Sequence, residues 1–229
     1  AGAIAHLLAV PVVGPLTRFA LYAATAHSPV RRLEGSAHDI APVVSHGCEL
    51  PVLEGCEHGA SLAAIGIAPD LGLVVASVRV AAADDDTAVA RGGGSPSCEL
   101  QLWETESARR VNSVRLPIDL HDSCVAAEAR AMVCTASQGA VHLVSLPQLH
   151  WLVRLEPQEL IPPSPQPFPI SSPQSPPLVP IWDAPTRHLA LYSEYDSSVQ
   201  PWHLPTLMKK HREHLRSQAT TPLSPVRRQ

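Results

Sequence analysis

Four residues in a short stretch of the chain carry the donor atoms that zinc prefers. His46, Cys48, Cys56 and His58 form a His-x-Cys-x7-Cys-x-His pattern. Imidazole nitrogens and thiolates are common zinc ligands, and residues two apart in an extended strand point to the same side. The pattern lacks the usual Cys-x2-Cys spacing, and cysteines often serve as small buried apolar residues. We therefore expect no metal, and keep a small metal-binding module as an alternative.

No other motif predicts an active site. The sequence has no Gly-x-Ser-x-Gly elbow. Residues 91–97, RGGGSPS, lack the Lys-Ser/Thr pair of a phosphate-binding loop. His211 and His214 are three apart, without the His-Glu-x-x-His arrangement of a zinc protease. We predict no catalytic residue, no cofactor and no enzymatic activity.

Two serines lie in a repeated Ser-Pro-Val-Arg-Arg motif, at residues 28–32 and 224–228. A serine followed by proline and arginines resembles the substrate sites of proline-directed kinases. A phosphate on Ser28 or Ser224 would lie beside arginine guanidinium groups, with which phosphate pairs well. We predict both serines as phosphorylation sites, with Ser224 in a C-terminal tail.

The overall composition narrows the classes of partner. The formal net charge of −4 and pI near 6.3 argue against nucleic-acid binding through a global positive field. Five cysteines, an odd number, do not form a regular disulfide framework and favour a reducing compartment. No apolar run reaches the ~20 residues that cross a bilayer. We expect an intracellular protein, cytoplasmic or nuclear, with no membrane contact and with nucleic acid bound only indirectly, if at all.

The elements around these residues repeat along the chain. Each unit has a strand-like start, a short polar turn and an apolar run, and the three examples are residues 67–77, 126–137 and 181–193. A further strand-like segment follows each of them, at residues 99–104, 139–146 and 198–204. The first two units then add another strand, so residues 99–116 are predicted to form a hairpin that turns at 104–108. This repetition predicts an all-β protein made of similar sheets.

Alternation along the predicted hairpin assigns its side chains to two faces. Leu100 and Leu102 share one face, and Gln101 and Trp103 share the other. Because repeated sheets pack on both faces, we expect Trp103 to be buried as well. Val144 and Trp202 occupy the equivalent positions in the next two units.

Irregular segments interrupt and flank the repeats. Residues 81–97 are acidic and then glycine-rich, and residues 162–180 are rich in proline and serine. Both are predicted as surface insertions. Residues 1–54 are predicted to hold a degenerate first unit with two strands, and the segment beginning RRLEG (Arg31 onward) to link it to the next. Residues 206–229 are predicted as a helical, then disordered, tail.

The unit from His58 to Leu116 resembles the WD-repeat β-propeller family. It has a histidine ahead of its first strand, a turn at Pro69-Asp70, and Leu-x-Leu-Trp-Glu ending at Glu104, where the family carries its Trp-Asp dipeptide. Later units depart from the pattern, with Val144-Ser145 and Trp202-His203 in that place. The structural signature of the repeat is therefore assigned to Asp70, Trp103 and Trp202, within repeats spanning residues 55–205.

The resemblance implies three to four blades of a partial propeller and a non-catalytic scaffold that binds other proteins. Such a chain would be a subunit or adaptor of a multi-subunit complex. A narrower alternative is the non-catalytic subunit of a tRNA (guanine-N7) methyltransferase complex. This chain is similar to it in having divergent blades and a Lys/Glu-rich tail, at residues 207–218.

Overall fold

The computed structural model describes residues 6–12, 18–36, 48–54, 56, 60–80, 96–155, 177–193 and 197–209. These residues form four antiparallel sheets, which we name A to D in chain order. Sheet A contains β1 (His6–Val12), β2 (Arg18–Ala24), β3 (Val30–Ser36) and β4 (Glu49–Leu50). Sheet B contains β5 (Ser61–Ala68), β6 (Leu73–Val80), β7 (Ser97–Glu104) and β8 (Arg110–Leu116).

The second half of the chain repeats this plan. Sheet C contains β9 (Leu120–Ala126), β10 (Ala131–Ala136), β11 (Val141–Ser145) and β12 (Trp151–Leu155). Sheet D has three described strands, β13 (Leu178–Asp183), β14 (His188–Ser193) and β15 (Val199–His203). In every sheet each strand pairs with the next one along the chain, so each sheet is a meander. Residues 204–209 form a short helix, α1.

The two middle sheets are apolar on both faces. Every residue of β10 is buried, as are seven of the eight residues of β6. These strands, LVVASVRV and AMVCTA, lack the polar alternation of a sheet with one face in water. A strand with this composition is stable only where another layer covers each face.

The turns that join the first two strands of sheets B and C have the same geometry. Pro69–Leu71 and Ala127–Ala129 each form one 3-10 turn. Gly72 (φ 62°) and Arg130 (φ 49°) follow in the left-handed conformation. Glycine adopts this conformation without strain, whereas a side chain such as that of Arg130 makes it costlier. The shared turn is structural evidence that the two sheets are copies of one unit.

The sheets pack face to face in chain order, and their first strands lie side by side. Strands β1, β5, β9 and β13 contact one another in that sequence. Gly66 of β5 shows how close they come, since a Cβ there would lie 2.3 Å from Val125 Cγ2 of β9. Three apolar cores fill the spaces between A and B, between B and C, and between C and D. Side-by-side first strands with meandering sheets radiating from them are the arrangement of propeller blades.

The structure confirms the predicted all-β architecture of three to four blades. The predicted hairpin is present, because β7 pairs with β8. Trp103 is buried, at 5% exposure. It pairs across the strands with Val74, the second residue of β6. Val144 pairs in the same way with Met132 of β10, and Trp202 pairs with Leu189 of β14. The three positions proposed as equivalent are therefore equivalent in strand register.

Several sequence-based boundaries are wrong. The segment from Arg31, predicted as a link, belongs to β3, which pairs with β2 along its length. The predicted insertions at 81–97 and 162–180 extend too far, because Ser97 begins β7 and Leu178–Pro180 belong to β13. Most of both insertions, and the tail beyond 209, lie outside the described residues. The helix predicted after Pro205 begins one residue before it, at Leu204.

No helix among the described residues is long and apolar enough to cross a membrane.

Candidate binding groove

The connections between sheets meet at one end of the blades, which we call the connection end. Strands alternate in direction within each meander, so the link from one sheet to the next lies at the same end as the turn between second and third strands. Hydrogen bonds show this directly for sheet C. The backbone N–H of Ser137, in the β10–β11 turn, donates to the carbonyl of Asp119, in the β8–β9 link, over 2.8 Å. The strand ends at Val80, Ser97, Leu155 and Leu178 also lie at this end.

A groove of about 290 Å³ opens at the connection end between sheets B and C. Its walls come from the β8–β9 link, the β10–β11 turn and one face of β11 and β12. The lining residues are Pro96, Pro117, Ile118, Asp119, Ala136, Gln138, Ala140, His142, Trp151 and Arg154. The volume is at the lower limit of small-molecule pockets, about 300 Å³. It suits one or two inserted side chains better than a large cofactor.

His142 is the most constrained polar side chain of the groove. It is 4% exposed, and no atom in the described part of the chain forms a hydrogen bond with its Nδ1. Burial, and secondarily the charge of Arg154, lower the pKa of His142 from 6.5 to about 4. The imidazole is therefore neutral at pH 7. A buried nitrogen without a hydrogen-bond partner carries an uncompensated desolvation cost.

Trp151 forms the exposed wall of the groove beside this histidine. Its ring centroid lies 4.9 Å from that of His142, with an interplanar angle of 67°. The tryptophan remains 45% exposed. Half-exposed tryptophans are enriched among residues that dominate protein–protein binding, because they offer a flat apolar surface and one N–H donor.

A β-bulge brings these side chains together. Strict alternation along β12 would place Trp151 on the face of Val153 and Leu155, both of which are buried between sheets C and D. The register between β11 and β12 shifts at Leu143–Val144, so that Leu143 pairs with Val153 but Val144 pairs with Trp151. The extra residue turns Trp151 to the face that carries His142 and Arg154, as bulges do. Sequence periodicity therefore gives no signal for this groove.

The groove offers an exposed aromatic wall beside a neutral imidazole, which suits the binding of a partner's side chain.

Only two of the four candidate metal ligands lie among the described residues. His46 and His58 lie outside the described residues. Cys48 and Cys56 are half-buried, and Cys56 Sγ is 3.8 Å from Gln101 Nε2 and 3.9 Å from Glu99 Oε2. Burial and the Glu99 carboxylate raise the pKa of the Cys56 thiol. The described part of the chain contains no cluster of three or more His, Cys, Asp or Glu side chains able to hold a metal.

The structure describes only one of the two predicted phosphorylation sites. Ser28 lies in the β2–β3 turn, half-buried, where its Oγ accepts a hydrogen bond from the Thr25 backbone N–H at 3.0 Å. Ser224 lies outside the described residues. Modification of either serine remains a prediction.

The three residues of the repeat signature have different structural environments. Asp70 is exposed in the 3-10 turn after β5. Trp103 lies between sheets A and B, and its Nε1–H donates to Gln101 Oε1 at 3.1 Å. Trp202 is half-buried against the core between sheets C and D. The two tryptophans are therefore core residues between blades.

Comparisons with known proteins identify the class of fold. No protein-family model matches the sequence, and no curated protein matches it. The structure is similar to a solved structure described as the Dos1 propeller, with a TM-score of 0.53 and 8% sequence identity. The match covers 89% of this chain and 44% of that one. The fold is therefore that of a β-propeller. This chain spans less than half the length of the matched structure.

Proposed function

We propose that this chain is a non-catalytic interaction scaffold, a divergent WD-repeat type of propeller that holds a partner protein in the groove between sheets B and C. The observation that carries the proposal is the half-exposed ring of Trp151 on the wall of a groove of about 290 Å³. The matching ligand is a protein loop that lays a flat apolar side chain on Trp151.

Rigid walls support this function. The groove lies on blades whose cores are closely packed, so its shape is set before the partner arrives. Preformed sites bind more tightly because less conformational entropy is lost on association. The connections that flank the groove are the segments in which propellers vary without disturbing their sheets.

The test is affinity capture of the tagged chain from its native cells, with mass spectrometry of the recovered proteins. Trp151→Ala removes the exposed ring while leaving the strand pairing. Val111→Ala is the matched control, because Val111 is similarly exposed, at 48%, on β8. We expect a near-stoichiometric partner with the unmodified chain and with V111A, and its loss with W151A.

Binding measurements with the purified chain and its purified partner then give the size of the effect on the dissociation constant. Truncating a tryptophan at the centre of an interface typically costs about 2 kcal/mol or more, so the dissociation constant should rise about 30-fold for W151A and stay within about twofold for V111A. A partner that binds W151A with unchanged affinity would show that the groove is not the interaction site.

The methyltransferase-subunit alternative has no support of its own in the described residues. Of the Lys/Glu-rich tail at residues 207–218, only residues 207–209 lie in the described part of the chain, at the end of α1. It stays a prediction, which recovery of a methyltransferase in the same capture experiment would favour.

A further inference from the structure

The outer face of sheet D, which we define as the face turned away from sheet C, carries two histidines side by side. Leu189 and Leu191 point inward and are 1% exposed in the core shared with sheet C. Alternation along β14 therefore places His188 on the outer face. His203 of β15 lies directly opposite His188 in the strand register and shares that face. The two histidines are 15 positions apart in the sequence, so strand pairing is what brings them together.

The two imidazole rings are separated by a distance that suits the binding of one metal ion. Their centroids lie 5.2 Å apart, and the rings are tilted by 50° to each other. Zinc binds histidine nitrogens at about 2.0–2.1 Å, in tetrahedral geometry. Two rings bound to one such ion have centroids roughly 5 Å apart, because each centroid lies about 3.2 Å from the metal. The pair therefore needs little rearrangement to act as two ligands.

Hydrogen bonds engage the Nδ1 atom of each ring. His188 Nδ1 is 2.9 Å from the backbone carbonyl oxygen of Thr186. A carbonyl only accepts, so Nδ1 carries the proton, and in the neutral ring Nε2 presents a lone pair. His203 Nδ1 is 2.7 Å from the hydroxyl of Thr206, which can accept a hydrogen bond in the same way. Metal-binding histidines typically donate their second ring N–H to a nearby acceptor, which fixes the ring and directs the other nitrogen to the metal.

A carboxylate lies in the same cross-strand row. Asp183 of β13 is the partner of His188 in the strand register, and its carboxylate accepts a hydrogen bond from the Thr186 hydroxyl. Residues directly opposite in an antiparallel pair have Cβ atoms about 4.5–5.5 Å apart, so this negative charge favours a cation at the histidines. The described part of the chain holds no cluster of three such side chains able to bind a metal. Asp183 therefore acts through its charge, and the ligands are the two histidines.

We propose that His188 and His203 form a two-histidine binding site for a divalent transition-metal ion such as zinc. Imidazole nitrogens suit zinc, copper and nickel, whereas calcium and magnesium take oxygen ligands. Two protein ligands leave coordination positions for water, so the bound ion remains exchangeable. The site lies on the outer face of sheet D, and it does not depend on the function proposed for the groove between sheets B and C.

Isothermal titration calorimetry of the metal-free chain with zinc chloride tests the site. His188→Gln and His203→Gln each remove one imidazole. Loss of an outer-shell hydrogen-bond partner alone typically weakens a metal site about 10- to 100-fold, so loss of a ligand should raise the zinc dissociation constant at least about 10-fold. The double variant should bind zinc no more weakly than either single variant, because one remaining histidine already cannot chelate the ion.

Two further variants separate this site from other places where zinc could bind. His27→Gln removes an exposed histidine from the β2–β3 turn. Cys48→Ser removes one ligand of the alternative metal-binding pattern at residues 46–58. Both variants should keep the zinc affinity that H188Q and H203Q lose. An excess of magnesium should not displace the zinc.

Urea denaturation gives a second measurement on the same variants. The pairing of β14 with β15 exists only in the folded chain, so zinc should raise the urea midpoint of the unmodified chain. It should not raise the midpoint of H188Q or H203Q. The transitions measured without zinc show whether each variant is folded. His203 is exposed, so H203Q decides the outcome by itself if H188Q does not fold.

Three results would overturn the proposal. Zinc binding that is unchanged in H188Q and H203Q takes place elsewhere in the chain. Partial losses in the single variants that add up in the double variant indicate two independent imidazoles and no chelate. A folded, unmodified chain that takes up no zinc has no such site.

Discussion

Sheets B and D are built from similar strands but differ in what covers them. In sheet B, Leu100 and Val74 are both 0% exposed, although they lie on opposite faces, because sheets C and A pack on either side. In sheet D, Leu189 is 1% exposed on one face while Ile181 is 52% exposed on the other. The difference shows that apolar residues on both faces of a blade suit packing against two neighbouring blades. The position of the blade in the structure determines whether both of its faces are covered.

The largest effect should come from truncating a side chain between two blades. Leu100→Ala leaves a cavity in the core shared by sheets B and C, where the surrounding strands cannot easily collapse. We expect the free energy of unfolding to fall by about 2–5 kcal/mol, measured by urea denaturation. A loss below about 1 kcal/mol would show that sheets B and C are not packed as described.

The next largest effect tests the close approach of the first strands. Gly66→Ala adds a methyl group 2.3 Å from Val125 Cγ2, so one strand must shift. We expect a loss of about 1–3 kcal/mol. The double variant Gly66→Ala with Val125→Ala is the control and should recover part of that loss, because the clashing methyl is gone. If the double variant is no more stable than Gly66→Ala alone, Val125 does not clash with the added methyl group between β5 and β9.

A smaller effect concerns the buried hydroxyl pair that joins the same two sheets. Ser77 Oγ of β6 and Ser123 Oγ of β9 are 2.6 Å apart. Ser77→Ala leaves Ser123 without this partner, and we expect a loss of about 1–2 kcal/mol in urea denaturation. Replacing both serines by alanine should cost less than the sum of the single variants, since no unpaired hydroxyl remains. Strict additivity would show that the two hydroxyls are not coupled.

The pH dependence of stability should reveal His142. Its pKa falls from 6.5 to about 4 in the folded chain, so between these values the unfolded state binds a proton that the folded state excludes. Stability contributed by the neutral ring is therefore complete above pH 6.5 and declines as the pH falls toward 4. Unfolding midpoints of the unmodified chain and of His142→Gln, measured from pH 7.5 to 4, should diverge in this window. Parallel curves would mean that His142 titrates normally.

The smallest effect is expected on the outer face of sheet D. Ile181→Ala removes as many side-chain carbons as Leu100→Ala, yet Ile181 is half-exposed. We expect the free energy of unfolding, measured by urea denaturation, to change by no more than about 0.5 kcal/mol. A large loss there would show that the face is already covered within one chain, which would remove the contrast between sheets B and D.

The sequence predicted the hairpin from Glu99 to Leu116 because alternating apolar residues and a polar turn are local signals. It also predicted that Trp103, Val144 and Trp202 are equivalent, since repeated units keep their register. It missed β3, because VRRLEGS has three charged residues and little apolar alternation. That segment becomes a strand through pairing with β2, which is a tertiary and not a local preference.

The sequence by itself determined that this is a β protein of repeated units with apolar cores, because strand periodicity and turn chemistry are encoded within a few neighbouring residues. Only the tertiary structure decided which surfaces of the units stay exposed to a binding partner. The groove depends on a bulge that turns Trp151 toward His142, 9 residues away along the chain. The exposed face of sheet D depends on the absence, in the described structure, of a blade packed against Ile181. The first feature depends on strand register and the second on which blades pack together, and local sequence patterns record neither.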